Sequence, residues 1–364
     1  MDKANGPCLI LMNHSSFIDL KIASKIFFPK PYCIVSTTDG LVGKAWLMKK
    51  LGCIPTQKYV SDISLITDMI HALKKEKVSV LMFPEAGYSF DGCSTILPPG
   101  FGRLIKKLNV PVVSVITDGA FLRQPLYNEL KIRKVKVTAQ VECIFSKEET
   151  QSLSAEEIDT RINDIFSFDN FKTQYENKIE INEPYRANGL NRILYKCPHC
   201  LEEQKTVGKG TILKCTACNK EYEMDKYGRL CAKNGETEFS HIPDWYNWQR
   251  ECVKKELTDG SYKLDTEVEI AILTDYKALY KVGSGRLVHS SDGFELTGCD
   301  GKLNFKQSPL FSFSLNADYY WYEIGDVICI GNKDRLFYCF PKDKDIVTKA
   351  RLATEELYKL CKRQ

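Results

Sequence analysis

A chain of 364 residues is long enough for two or three domains, each with its own core. A hydrophobic share of 43% beside 27% charged residues excludes a disordered or fibrous chain, and no apolar run approaches the length of a membrane span. The net charge of +4 allows contact with anionic lipid without demanding any particular partner. No secretory signal is visible, because Met1 is followed by Asp2-Lys3-Ala4-Asn5-Gly6 and then by a strand.

The first element is the apolar run Cys8-Leu9-Ile10-Leu11-Met12, which reads as a buried strand. It runs into Asn13-His14-Ser15-Ser16-Phe17-Ile18-Asp19, a His-x₄-Asp spacing. Leu20, Ile22, Ala23 and Ile26 then recur at helical spacing, so Asp19 opens a helix. A chain that turns back there sets a carboxylate against an imidazole. A neutral imidazole takes a proton from an alcohol, and the carboxylate fixes its tautomer and stabilises the imidazolium that forms. His14 and Asp19 are therefore candidate catalytic residues; the plainer alternative is a capping Asp beside an unrelated His.

A short strand follows at 32–36, then an apolar helix at 41–51 carrying Trp46 with Lys44, Lys49 and Lys50. The expected place for this helix is against the sheet, with its lysines solvated. The other arrangement is an interfacial helix, with the ring at headgroup level and the ammonium groups on anionic phosphates. Residues 61–77 predict an amphipathic helix with Ile63, Ile66, Met69, Ile70 and Leu73 on its apolar side and His71 partly exposed. The run 78–83 is a second buried strand, ending in Pro84-Glu85-Ala86-Gly87-Tyr88-Ser89. Strand ends leading into Pro/Gly loops are where open α/β sheets place ligand groups. A helix at 100–109 feeds a strand at 111–117; a strand follows at 131–145, and a helix at 154–166 opens on a Ser-x-x-Glu capping box. Strands alternating with helices predict an α/β sandwich over residues 1–185.

Four segments of this half resemble the glycerolipid acyltransferases, the family of 1-acylglycerol-3-phosphate acyltransferases. The family's first block is Asn-His-x₄-Asp, matched by His14 and Asp19. Its second is roughly Gly-x-Ile-x-x-x-Arg, which Gly52-Cys53-Ile54-Pro55-Thr56-Gln57-Lys58 resembles, with Lys58 at the arginine position. Its third is Phe-Pro-Glu-Gly-Thr-Arg-Ser; this chain has Phe83-Pro84-Glu85-Ala86-Gly87-Tyr88-Ser89, so Tyr88 stands where an arginine is usual. Its fourth is a proline-opened apolar strand, as in Val110-Pro111-Val112-Val113-Ser114-Val115. The resemblance implies His14 as general base and Asp19 as its orienting acid. It implies substrate binding by Lys58, Glu85, Gly87 and Tyr88, with Arg103, Lys106 and Lys107 as nearby sources of charge. It also implies an acyl-CoA or acyl-carrier-protein donor, a glycerolipid-type acceptor such as lysophosphatidate, and a peripheral membrane face. Lysine is a point charge and tyrosine a single hydroxyl where arginine would present a planar fork, which leaves the acceptor open. The family usually carries more chain ahead of its first block.

Residues 169–188 are polar and read as a linker or exposed helix. Of the 15 cysteines, eleven are scattered singly, several in apolar runs. That pattern fits free thiols in a reducing, cytoplasmic setting, with possible contact at the inner membrane face. The other four form Cys197-Pro198-His199-Cys200 and Cys215-Thr216-Ala217-Cys218. Two Cys-x₂-Cys knuckles suit a tetrahedral Zn²⁺ with four thiolates, and a closed site of that kind is structural. His199 is then a bystander, 206–214 forms a hairpin, and 194–230 resembles a zinc ribbon, placed as a domain over 190–232. Mixed charges along it form no basic stripe, so nucleic acid is an unlikely partner.

A helix from Pro243 to Leu257 carries Trp245 and Trp248, expected to dock domains together. Beyond it, strands are predicted at 268–273, 276–282, 285–289, 293–297, 319–324, 327–330 and 336–340, with a closing helix at 345–362. Antiparallel strands closed by one amphipathic helix resemble a pleckstrin-homology-like (PH-like) domain, over 258–364. His241 and His289 read as surface or packing residues. The chain as a whole reads as an O-acyltransferase sandwich followed by a zinc ribbon and a β-rich PH-like domain. Two alternatives are a scaffold that keeps the fold with weakened turnover and a ribbon-led interaction module.

Overall fold

The N-terminal half is built on β1 (Leu9–Met12), whose four side chains are all buried. Chain order then gives α1 (Asp19–Phe27), β2 (Tyr32–Thr37), α2 (Ala45–Lys50), β3 (Cys53–Thr56), α3 (Ile63–Ile70) and β4 (Ser79–Met82). After these come α4 (Phe101–Leu108), β5 (Val112–Asp118), the single turn α5 (Ala120–Arg123), β6 (Thr138–Phe145), α6 (Lys147–Ser152), α7 (Ala155–Ile165) and α8 (Asn170–Glu176). This computed structural model describes residues 6–60, 63–275, 277–332 and 334–363; Ser61 and Tyr276, where a helix and a strand are expected to begin, and residues 1–5 lie outside them.

One six-stranded sheet, ordered β3-β2-β4-β1-β5-β6, gathers the strands. β1 runs parallel to both β4 and β5, and β6 closes the edge antiparallel to β5. A central strand covered on both faces must be apolar on both, which explains the unbroken run at 8–12. Ala23 and Phe27 of α1 pack with Ile10 and Met12 on one face. Met69, Ile105, Ile158 and Ile162, from α3, α4 and α7, pack with Leu9 and Leu11 on the other. Gly102 lets α4 and α7 touch, since a Cβ there would overlap the Ala155 carbonyl oxygen. The predicted capping box forms, with Ser154 and Glu157 exchanging bonds to each other's backbone N–H.

Four sequence expectations need correction. The helix expected over 41–51 is a 3₁₀ turn at Thr38–Leu41 followed by α2, and no residue of α2 is buried, so it does not pack into the sheet. The strand expected over 131–145 forms only as β6, because the buried Arg133 guanidinium instead donates to Tyr127 Oη (2.9 Å) and the Arg186 carbonyl (3.0 Å). The stretch 169–188 is not an exposed linker. Phe171, Gln174 and Ile181 are buried, and Gln174 donates to the carbonyls of Ile179 and Lys226. The helix expected over 61–77 is α3 followed by a π turn at His71–Lys75, with His71 exposed and paired to Glu76.

The second half continues with β7 (Thr206–Lys209), β8 (Ile212–Cys215), β9 (Glu221–Met224) and β10 (Leu230–Ala232), a four-stranded antiparallel sheet ordered β10-β9-β8-β7. Next is α9 (Ile242–Asp259), whose Trp245 is fully buried and donates to the Lys196 carbonyl. Then follow β11 (Leu264–Leu273), β12 (Tyr280–Ser290), β13 (Gly293–Gly298), β14 (Leu303–Gln307), β15 (Asn316–Trp321), β16 (Gly325–Gly331), β17 (Leu336–Pro341) and α10 (Val347–Arg363). The seven strands form one antiparallel sheet, ordered β14-β13-β12-β11-β17-β16-β15. Two predicted strands merge in β12, and β14 had no clear sequence signal because Asn304 and Lys306 alternate with weakly buried neighbours. His289 is a packing residue, stacked on Phe294 at 3.8 Å and bonded to Tyr262. His241 is bonded to Asp169 at 2.7 Å.

One apolar cluster joins these parts: Phe90, Phe121 and Phe171 share it with Leu213, Tyr222, Trp245, Tyr319 and Leu352. Arg351, buried on α10, crosses the same seam. Its Nε reaches Glu355 at 3.2 Å, its Nη1 donates to the Tyr88 carbonyl at 3.2 Å, and its guanidinium lies 4.3 Å over Phe90. Arg351→Ala would leave Glu355 buried with only Arg250 and Ser314 as partners. It should cost about 3–5 kcal/mol of stability. Urea unfolding of the two proteins measures this, and an unchanged midpoint would contradict it.

Candidate active site

Adjacent parallel strands β1 and β4 deliver 13–19 and 83–89 to the same edge of the sheet. Asn13 fixes the exit from β1. Its Oδ1 accepts from the Thr117 N–H (2.8 Å) and hydroxyl (3.0 Å), and its Nδ2 donates to the Thr117 carbonyl (3.1 Å). The chain then folds back so that Asp19 Oδ2 accepts the N–H groups of Ser15 (2.8 Å) and Ser16 (2.9 Å). The same oxygen lies 3.1 Å from His14 Nδ1. The carboxylate is wholly buried, so its orientation is set by these partners. A proton on Nδ1 facing Asp19 leaves Nε2 as the free proton acceptor.

The His14 ring is held between two aromatic faces, Phe83 at 4.1 Å and Tyr88 at 4.0 Å between centroids. Burial pulls the imidazole pKa below its ordinary value, against the opposing hydrogen bond and charge of Asp19, so the ring is neutral at pH 7. Tyr88 therefore serves as one wall of the base's slot, and its own burial keeps the phenol protonated.

Glu85 lies beneath the pair and is fully buried. One carboxylate oxygen accepts the His14 N–H at 2.7 Å, and the other accepts from the Thr95 N–H (3.2 Å) and hydroxyl (3.3 Å). Burial raises its pKa to about 7, opposed by those bonds. Its carboxylate grips the His14 backbone, while its neighbours Pro84 and Ala86 line the cavity described next. Gly87 sits at a close approach, where a Cβ would meet Tyr59 Oη at 2.7 Å and displace that side chain.

A cavity of about 970 Å³ opens beside His14. Apolar walls come from Leu20, Ile34, Val35, Ile66, Met82 and Leu104. Lys58 and Tyr88 line it, with the ammonium 6.0 Å from the tyrosine ring centroid. Arg103, Lys106 and Lys107 on α4 are not part of the cavity lining: the exposed Arg103 guanidinium rests against Gly100 at the cavity's edge, Lys107 is exposed, and Lys106 donates to the Gln151 and Leu153 carbonyls. The opposite wall is supplied by the C-terminal sheet. Phe313, Asp318, Tyr320, Trp321 and Tyr322 face the cavity from β15 and its flanks. Trp321 Nε1 donates to Asp39 Oδ2 at 3.2 Å, and Phe313 packs edge-on against Tyr59 at 5.3 Å, tying the two halves across the opening. None of these C-terminal residues, nor Asp39, stood out as a site residue in the sequence. The only available signal was the aromatic density of Tyr319-Tyr320-Trp321-Tyr322, which also fits a strand.

The histidine–aspartate pair, the buried glutamate behind it and the N-terminal wall of the cavity lie in a segment with known relatives. Residues 2–118 match the family model described as Acyltransferase. Over 133 residues the chain is 27% identical to the 1-acyl-sn-glycerol-3-phosphate acyltransferase BAT2, chloroplastic, of Brassica napus, covering 35% of this chain and 38% of that protein. It therefore spans less than two fifths of that relative's length. Among solved structures it is similar to the 1-acyl-sn-glycerophosphate acyltransferase PlsC of Thermotoga maritima. The identity is 19%, over 44% of this chain and 64% of that one, with a TM-score of 0.34, too loose a superposition to define the fold. The acyltransferase resemblance is thus supported over the first third of the chain. The cavity's C-terminal wall lies outside the matched segment.

The second candidate site is the cysteine cluster. Cys197, Cys200, Cys215 and Cys218 bring their sulfurs within 4.8 Å of one another. Cys197 and Cys218 are 3.8 Å apart and Cys200 and Cys215 3.7 Å apart. A tetrahedron of Zn–S bonds has edges of about 3.8 Å, so these two separations are those of a four-thiolate metal site. His199 points to Glu238 at 3.2 Å and stays outside the cluster.

Proposed function

We propose that the chain is an O-acyltransferase that moves a fatty acyl group from a thioester donor, acyl-CoA or acyl-carrier protein, to a hydroxyl of a glycerolipid-type acceptor. The observation that carries this reading is the buried Asp19–His14 pair, which lies within the segment that matches the Acyltransferase family and opens onto an apolar cavity. His14 Nε2 takes the proton from the acceptor hydroxyl as its oxygen forms a bond to the thioester carbonyl carbon. The tetrahedral intermediate collapses with breakage of the C–S bond. The departing thiolate recovers the proton from the imidazolium, giving an ester and a free thiol. A thiolate leaves easily, so the step needs no stronger acid than the imidazolium and no covalent acyl-enzyme. Asp19 stabilises the transient imidazolium, and Glu85 holds the backbone that carries it.

The four thiolates would hold one structural Zn²⁺, bracing β7 to β10 rather than entering the chemistry. The seven-stranded sheet followed by α10 supports a PH-like assignment by element order, and its role here is to complete the cavity wall.

A membrane face belongs to the same reading. No helix among the described residues is long and apolar enough to cross a membrane. Yet Trp46 is 67% exposed and Leu51 65%, with Leu47 also exposed and Lys50 lying 5.3 Å from the Trp46 ring. Phe28 and Ile63 are still more exposed, and Ile63 lines the cavity. An exposed ring with lysines at its edge is suited to headgroups, and it would bring the cavity to the lipid. Replacing Trp46, Lys49 and Lys50 with Ala, Glu and Glu should weaken cosedimentation with anionic vesicles about tenfold or more, since each basic residue near such a surface contributes about 1 kcal/mol. Turnover of water-soluble substrates should persist. Unchanged vesicle binding by the folded variant would remove the membrane face.

A further inference from the structure

Lys58 is the sole lysine or arginine among the described residues lining the cavity, and four carboxylates, Asp39, Glu129, Asp318 and Glu323, line it with the lysine. Glu129 is matched by Arg192 at 3.3 Å. That leaves Asp39, Asp318 and, at the exposed rim, Glu323 against a single ammonium. Asp318 is buried on β15 and Asp39 sits in the 3₁₀ turn after β2, so the two reach the cavity from opposite halves of the chain. Trp321 clamps Asp39 in place through its indole N–H. Burial works against the Lys58 charge, but Asp318 and Asp39 outweigh it, so the lysine is held charged by groups already present.

A phosphate monoester brought to Lys58 would share one cavity with these carboxylates, between apolar walls, where like charges repel strongly. Among the described residues no guanidinium lines the cavity to receive it: Arg103 rests outside against Gly100, and Tyr88 presents only a ring and a hydroxyl. We propose that the acceptor is an alcohol whose head carries no net negative charge, and that Asp39 and Asp318 determine this selectivity. The inference rests on the acyltransferase reading of the site and narrows its acceptor. Hydroxyl-rich heads suit the same groups, since Asp39, Asp318, Tyr320 and Tyr322 offer acceptors and donors to neutral hydroxyls.

The test is isothermal titration calorimetry on the full chain, without any acyl donor. The two probes are water-soluble 1-octanoylglycerol and 1-octanoylglycerol 3-phosphate, which differ only in the phosphate. The neutral probe should bind at least about tenfold more tightly. Asp318→Asn, nearly isosteric, should bring the phosphate probe to within about threefold of the neutral one, and Asp39→Asn should move it the same way. Equal or tighter binding of the phosphate probe by the wild type overturns the inference, as does failure to bind either probe. So does an unaltered preference in both folded variants. Because no turnover is involved, these outcomes are separate from those that test His14: a charge preference without acyl transfer would break the acyltransferase reading, and His14-dependent transfer to the phosphate probe would break only this inference.

Discussion

His14→Ala is expected to reduce acyl transfer by about 10²–10⁴-fold, the usual contribution of a positioned general base. The chain should stay folded. The Asn13 bonds to Thr117, the Glu85 bond to the residue-14 N–H and the Asp19 bonds to Ser15 and Ser16 all use groups that the substitution leaves in place. Asp19→Asn should lose most activity through the wrong tautomer, with some turnover remaining. The pH profile carries a sign. The base works unprotonated and burial lowers its pKa, so the acid limb should fall below the ordinary value of 6.5 and not above it. Steady-state rates with circular dichroism of each variant decide this. A folded His14→Ala protein within a few fold of wild type would remove the mechanism.

The second large effect is expected from the metal. Freshly purified, reduced protein should carry one zinc per chain, and Cys197→Ser or Cys215→Ser should lose it. Structural zinc sites in small peptides bind with about 10–16 kcal/mol, more than the whole stability of many domains, about 5–15 kcal/mol. The effect should spread beyond the four-stranded sheet. Leu213, Tyr222, Met224 and Leu230 belong to the same apolar cluster as Trp245 and Tyr319. Chelation should therefore lower the melting temperature of the whole chain cooperatively, rather than releasing one small unfolding step. Elemental analysis without zinc would overturn the metal assignment, and an unchanged melt after chelation would overturn the coupling.

Much of the site was legible because its parts are close in sequence. His14 and Asp19 are five residues apart, and the turn between them closes on local backbone bonds. The four cysteines were readable for the same reason: two tight knuckles leave few arrangements for their thiols. Strand runs at 8–12 and 78–83 announced a sheet interior through continuous apolarity. What stayed hidden depended on which surfaces meet. Asp318 and Trp321 reach the cavity from nearly three hundred residues away, and no local pattern marks that approach. The helix at α2 shows the converse. Its apolar residues predicted burial, yet periodicity records only that a face is apolar, not whether protein covers it. Arg133 misled for a related reason: alternation around it fits a strand, while its buried guanidinium needs carbonyl partners that an open strand edge would not supply.

The central claim is acyl transfer to an alcohol, and product analysis tests it most directly. The full chain, incubated with labelled acyl-CoA or acyl-carrier protein and a panel of monoacylglycerol, lyso-lipid and sugar-lipid alcohols, should yield an ester whose mass is that of the acceptor plus the acyl group less water, with one free thiol released per ester formed. No label should remain covalently on the protein. Thiol release without any ester, or an acyl group retained on the chain, would contradict direct transfer through His14.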